Sequence, residues 1–396
     1  MSLRRAFLPV SLLFFLIVPS SASLRAASSI PAQLSDSELW KMVSTYSEPG
    51  GTFRFENFLS NEIYFQNVIP ALKARVQPGG IYMGVGPEQN FTYIVAVQPK
   101  IAFITDIRRQ NMLELMMYKA LFEMAPDRAD FISLLFSRKR PAGLSANSTA
   151  DALFFAYRSV IEDPALFQEN LQAIKDLLVK THKFSLDADD LAGIEKVYSI
   201  FFDYGPNVDY NSGGGGPGGG YGGFGRGRGF AGVTYADLMT SNDQQGLNSR
   251  TGKNRSFLAT EQNYQYLRDM ELNNLIVPLV GDFAGPQAIR AIGGYAREHG
   301  TTVTTFYLSN VEQYLFMDGV QAKFYKNVET LPIDATSTFI RSGRNGGNFG
   351  GGYRANSRGG GFGGGLTSMT SPMTDVLRAF ESDRIHGWND VLLMSQ

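Results

Sequence analysis

The 396-residue chain contains no cysteine. That excludes disulfides, thiolate nucleophiles, cysteine-ligated zinc, iron–sulfur clusters and a lipid-modified N-terminal cysteine. Histidine is nearly absent too. His182, His299 and His386 each stand alone, so a histidine-rich metal site is not expected, and a Ser/His/Asp triad would depend on one of the three. Charge of either sign is not in excess: the formal net charge is −1, and no global field draws the chain to nucleic acid or an anionic membrane. An acidic ligand would need a local basic site. No apolar run reaches the roughly 20 residues of a membrane-spanning helix.

What is present begins with a leader. Arg4 and Arg5 precede the apolar run Ala6–Val18, and small residues follow, with cleavage expected near Ala22 or Ala26. This is the three-part pattern of a secretory signal peptide. Residues 1–26 are therefore set apart from the fold, and the mature chain is expected outside the cytoplasm, periplasmic or secreted. An uncleaved N-terminal anchor is the alternative.

Two glycine-rich stretches punctuate the rest, one from Ser212 to Phe230 and one from Ser342 to Gly365. Such stretches cannot bury enough apolar surface to offset their backbone entropy, so flexible loops are expected over 211–232 and 343–366. Their "GRGRGF" and "SRGGGF" segments are similar to the arginine–glycine–glycine segments of RNA-binding proteins. The balanced charge and the leader favour plain loops, and nucleic acid is not an expected partner.

Between residues 107 and 210 the apolar period is helical. Phe167, Leu171, Ile174 and Leu178 form one stripe, and Leu191, Ile194, Val197 and Phe201 another. Pro164 suits a first helical turn, and Asp187, Asp189 and Asp190 suit the next helix start. Around this lobe lie apolar runs of the kind that form buried parallel strands: Ile81–Val85, Ile101–Thr105, Leu275–Val280, Thr302–Leu308 and Ser337–Ile340. Helices are expected between most of them, including about Ser60–Arg75 before the first strand and Pro286–His299. The pattern predicts an α/β fold with a mostly parallel sheet, split by an all-helical insertion. Residues 27–106 form its first part and 233–342 its second, and 367–396 add a helix and a strand that complete the sheet. An internal echo, "FLSNE" at Phe58 and "FLATE" at Phe257, twice marks a helix start before a strand and a glycine turn.

Ligands of open parallel sheets bind at the carboxyl ends of the strands. There the sequence places "GVGPEQN", with Gly84 and Gly86 allowing close approach to the backbone and Glu88 following. Asp106 ends the second strand, 22 residues after Gly84, where a carboxylate can meet ribose hydroxyls or cap a helix. Asp282 ends the third strand and Asn310 the fourth.

The order "GVG", "TDIRRQNM", "VGD", "FYLSNVEQYL" resembles the Rossmann-like core of class I S-adenosylmethionine-dependent methyltransferases. The likeness covers roughly Phe53–Asp106 and Leu275–Ile340. It implies S-adenosylmethionine as cofactor, with Gly84 and Gly86 at its methionine end, Asp106 on the ribose, Asp282 beside the adenine and Asn310 near the methyl-transfer centre. Tyr82 stands where that family has an acid, Glu88 where it has a third glycine, and Pro87 removes one N–H. The chain as a whole is also similar to an uncharacterised family of exported bacterial proteins. Glu312, Asp282 and Glu88 could serve as a general base, but none is assigned. Glu312 reads more simply as a solvated first-turn carboxylate. Two functions stand open: a methyltransferase or related nucleoside-binding protein of unknown substrate, and a non-catalytic exported protein that binds a small molecule or a protein partner.

Overall fold

The structure, a computed structural model, describes residues 29–53, 56–62, 64–210, 212, 233–244, 251–343 and 366–396. The expected leader and nearly all of both glycine-rich stretches lie outside the described residues.

The apolar runs form a six-stranded sheet. Helices α1 (Asp36–Tyr46) and α2 (Ile69–Arg75) precede β1 (Ile81–Gly84), and α3 (Gln89–Val97) leads to β2 (Ile101–Asp106). Among the described residues the connection from β2 to β3 (Ile276–Val280) is made of helices and turns, apart from one β-bridge between Asp209 and Thr234. The α-helices are α4 (Arg109–Met124), α5 (Arg128–Phe136), α6 (Ala150–Tyr157), α7 (Pro164–Asp176), α8 (Ala188–Tyr204), α9 (Tyr235–Thr240) and α10 (Glu261–Leu272). Then come α11 (Ala288–Glu298), β4 (Val303–Ser309), α12 (Val311–Met317), α13 (Gln321–Val328) and β5 (Thr338–Gly343). β6 (Thr367–Pro372), α14 (Met373–Glu381) and α15 (Trp388–Leu393) close the chain.

The strands lie in the order β3-β2-β1-β4-β5-β6, with β6 antiparallel to β5 and every other pair parallel. β1 and β4 are neighbours although the helical lobe and β3 separate them in sequence. The connections therefore leave β1 in opposite directions across the sheet, and a crevice is expected at that reversal. Pro278 sits inside β3 without penalty because β3 is an edge strand and proline's missing donor faces no ladder partner.

Side chains alternate across the sheet as the pleat requires. On one face Phe306 and Phe339 meet Phe324 of α13, and Phe103 meets Tyr295 of α11 at 5.5 Å between ring centroids. On the other, Tyr307 packs on Tyr93 of α3 at 5.0 Å. Both faces are thus covered, and every residue from Ile81 to Val85 is buried.

Local signals set the helices. Asp163 caps α7 with Pro164 in its first turn, and Asp187 with Asp190 makes a capping box at α8. Phe167, Leu171, Ile174 and Leu178 are all buried. α4 is enclosed by other elements: Met112 to Phe122 is buried without a break, Glu114 and Lys119 included. The two echoed segments both run into a helix and then a strand, but their capping differs. Thr260 caps α10 through Asn263 N at 3.1 Å, whereas Ser60 turns its hydroxyl to Gln89.

Candidate functional site

The strand order brings the carboxyl ends of β3, β2, β1 and β4 side by side. Asp282, Asp106, Gly84 with Gly86, and Asn310 consequently share one edge of the sheet. What each residue does there is set by its own neighbours.

Gly84 is required by the chain itself. A Cβ built on it would run into Asn90 Oδ1 and the Tyr82 ring. Asn90 is locked in place: Nδ2 donates to the carbonyls of Val85 (3.0 Å), Gly86 (3.0 Å) and Pro87 (2.7 Å), and Oδ1 accepts from Tyr82 Oη at 2.9 Å. Gly86 differs. Its φ is +77°, and nothing lies within 4 Å of the place a Cβ would take. Replacing Gly86 with alanine should therefore cost only the strain of a left-handed backbone, about 1–2 kcal/mol. Gly84→Ala should cost more, because Asn90 and Tyr82 must move. Urea denaturation of the two variants would rank them.

Asp106 is buried beside Arg108. Oδ1 accepts from Arg108 N at 2.9 Å and Nε at 3.1 Å, and Oδ2 from Nη2 at 3.2 Å. Its expected role as an open ribose acceptor meets a carboxylate already held at both oxygens. Asp282 makes a local turn, accepting from Ala284 N at 2.8 Å. Beside it lies Glu48, from the loop after α1. Glu48 Oε1 accepts from the N–H groups of Gln287 (2.8 Å) and Ala288 (2.9 Å) at the start of α11, and Oε2 from Asp282 N at 3.3 Å. An anion-binding helix start is thereby filled from within. Asn310 stands at the start of α12, half-buried, with no side-chain capping bond.

Glu312 corrects its sequence reading. It is not a solvated first-turn carboxylate but 1% exposed, and it pairs with fully buried Arg341. Oε2 accepts from Arg341 Nε at 2.6 Å, and Oε1 accepts from Nη2 at 3.3 Å and Tyr325 Oη at 2.9 Å. Both of its oxygens are bonded within the chain. Glu62, which sequence reasoning did not single out, is a second saturated carboxylate. It accepts from Tyr307 Oη (2.8 Å), Ser309 Oγ (2.6 Å), Gln89 Nε2 (2.9 Å) and Ser368 Oγ (3.1 Å), tying α3, β4 and β6 together.

Glu88 has a different environment. It is fully buried; Oε1 meets Ser60 N at 3.4 Å, and Oε2 has no hydrogen-bond partner. Burial pushes its pKa up to about 8. Glu114 of α4 interacts electrostatically with it, and neither Glu114 oxygen has a hydrogen-bond partner. Burial first, and Glu88 next, hold that carboxyl well above the usual range. Tyr118 and Tyr235 interact with both carboxyls, and their two hydroxyls face each other without bonding either carboxyl. Asn111 donates to the Gly86 carbonyl at 3.1 Å but leaves Oδ1 unpaired. Sequence reading reached Glu88 alone of this group. Glu114 carried a signal, since it is the single charge between Met112 and Tyr118.

Two surface grooves lie elsewhere. One of about 490 Å³ runs beside α2, α3 and α10, and one of about 680 Å³ beside α11 and α13. Neither is lined by the strand-end residues. Among the described residues no group of three or more His, Asp or Glu is placed to hold a metal ion. No helix among them is long and apolar enough to cross a membrane.

A family model described as a domain of unknown function (DUF7790) matches residues 57–148 and 234–362, more than half of the chain. The chain belongs to this family. The DUF7790 match includes the sheet-end residues, the Glu88–Glu114 group and the Glu312–Arg341 pair. It passes over Glu48 and residues 149–233, which carry α6 to α8. No curated protein matches the chain.

Proposed function

We propose that this chain is a non-catalytic small-molecule-binding module, exported from the cell, built on a Rossmann-like sheet of the class I methyltransferase kind. The carrying observation is the Asp106–Arg108 clamp. A carboxylate placed to receive ribose hydroxyls already has both oxygens bonded to its own chain. Glu48 at the start of α11 closes the neighbouring place beside Asp282 in the same way. A nucleoside would have to displace both, and each displaced charge would need a new partner in a buried setting. Export is supported by the leader pattern of Arg4, Arg5 and Ala6–Val18.

A second reading, an S-adenosylmethionine-dependent methyltransferase, draws support from one feature. Gly86 holds a left-handed backbone with open space beside it, next to the strand-order reversal. Titration calorimetry with S-adenosylmethionine and S-adenosylhomocysteine separates the two. The binding-module reading expects no heat at millimolar ligand from the native protein, and weak binding only after Arg108→Ala frees Asp106. Micromolar binding by the native protein would overturn that reading and favour the methyltransferase.

A further inference from the structure

The group around Glu88 and Glu114 is unlike the other buried polar clusters of this protein. Glu62 and Glu312 have all their oxygens engaged, as buried carboxylates should. Here four acceptor atoms have no partner: Glu88 Oε2, both Glu114 oxygens and Asn111 Oδ1. The hydroxyls of Tyr118 and Tyr235 lie among them but face each other and bond neither carboxyl. Glu88, Glu114, Asn111, Tyr118 and Tyr235 are all completely buried, so bulk water does not satisfy them.

We infer that Glu88, Glu114 and Asn111, walled by Tyr118 and Tyr235, form a binding site for a small organic cation bearing a primary ammonium group. This rests on the reading of the crevice as a binding site and names its ligand class. The chemistry follows from the imbalance. With both carboxyls ionised, acceptors outnumber donors; empty, the carboxyls make up the shortfall by keeping their protons, and an ammonium that displaces those protons brings three N–H groups and the charge that two carboxylates lack. The walls suit a short alkyl cation as well. Tyr118 packs edge-on against Phe91 at 5.2 Å, Tyr235 against Phe136 at 5.5 Å, and both contact Phe201. A cation there would face aromatic rings as well as carboxylates. Arg108 is near enough to act on Glu114 electrostatically, and Asp106 opposes it there, but the Arg108 guanidinium donates to Asp106 and gives neither Glu88 nor Glu114 a hydrogen bond. Gly86, partly exposed and with its carbonyl held by Asn90 and Asn111, ties the cluster to the strand-end edge of the sheet.

Carboxyls that are protonated when empty must lose protons to hold a cation, so affinity should rise with pH. The test is calorimetry and thermal unfolding with methylammonium chloride, against sodium chloride at equal ionic strength, at pH 6 and pH 8.5. Methylammonium should stabilise the protein where sodium does not, with binding about tenfold or more tighter at pH 8.5, since a carboxyl titrating near 8 is almost fully protonated at pH 6. Glu114→Gln keeps the shape and should abolish the effect, and Tyr118→Phe should weaken it severalfold. Equal stabilisation by sodium, no effect of methylammonium at pH 8.5, or an undiminished effect in both variants would overturn the inference. Binding of S-adenosylmethionine by the native protein would instead overturn the closed-nucleoside reading, so the two failures are told apart by different probes.

Discussion

Arg341→Met is expected to lower stability by about 3–5 kcal/mol, the usual cost of stripping one partner from a buried ion pair. Arg341 is completely buried, and Glu312 is 1% exposed. The guanidinium also donates to Ser371 Oγ and, at 3.0 Å, to Ser395 Oγ, and lies 5.0 Å from the Phe339 ring. Removing it leaves the Glu312 carboxylate with the Tyr325 hydroxyl alone. The same pair joins β5, α12, α13 and the C-terminal residues, so the loss should appear as a lower midpoint in urea without partial unfolding of one lobe. Arg341→Met combined with Glu312→Leu should recover most of the loss, because no charge then remains buried. A single variant within 1 kcal/mol of the native protein would show that water reaches the pair.

The same pair shows where the sequence stops being readable. Glu312 in a first helical turn and Arg341 in a strand are each ordinary locally, and only the β4–β5 register brings them together. Glu48 is more remote still, 234 residues from Asp282, whose N–H it accepts. Asp106 shows the opposite case, because its partner is two residues away, in the "TDIRRQNM" used to argue for a ribose site. The side chain that answers the carboxylate was next to it, yet a strand-end acid is open or clamped only according to how the following turn folds back.

The sheet was far more legible, since a buried parallel strand must be apolar on both faces. Ile81–Gly84, Ile101–Asp106, Ile276–Val280, Val303–Ser309 and Thr338–Gly343 lie where the apolar runs do, within a few residues at the ends. β6 is the exception in kind. "TSMTSP" has no apolar run and declares itself only by pairing antiparallel at the edge. The unpaired acids fall between these cases. Glu114 was visible as the one charge in the apolar stretch from Met112 to Tyr118. That it meets Glu88 from the first glycine turn and Tyr235 from beyond the helical lobe is a matter of packing.

Those buried acids give the second large effect, a loss of stability as pH rises from about 5 to above 8. Glu88 and Glu271 each have a carboxyl raised by burial to about 8, from an ordinary value of 4.5. A folded state that binds its protons more tightly than the unfolded one loses stability as pH rises between those two values, and the loss is complete above the higher one. Each group accounts for on the order of a few kcal/mol. His182 adds to the same trend. It lies between Glu123 Oε2 at 2.9 Å and Asp36 Oδ2 at 3.0 Å, with Lys119 also on Glu123, and these carboxylates raise its pKa. The stability it contributes is present below its ordinary value and is lost as pH climbs through the raised one. Asp36 and Glu123, both lowered, act only at acid pH, where they make stability fall as pH drops through their folded values. Urea denaturation at pH 5.5 and 8.5 should therefore give the larger unfolding free energy at pH 5.5. Glu271→Gln separates the causes, because Glu271 stands apart from the Glu88–Glu114 group and its nearest charges are Lys119 and Glu123. The variant should narrow the difference between the two pH values by a few kcal/mol while leaving the pH-dependence of methylammonium binding intact. An unchanged difference would mean that Glu271 reaches solvent, and the stability profile would then rest on Glu88, Glu114 and His182.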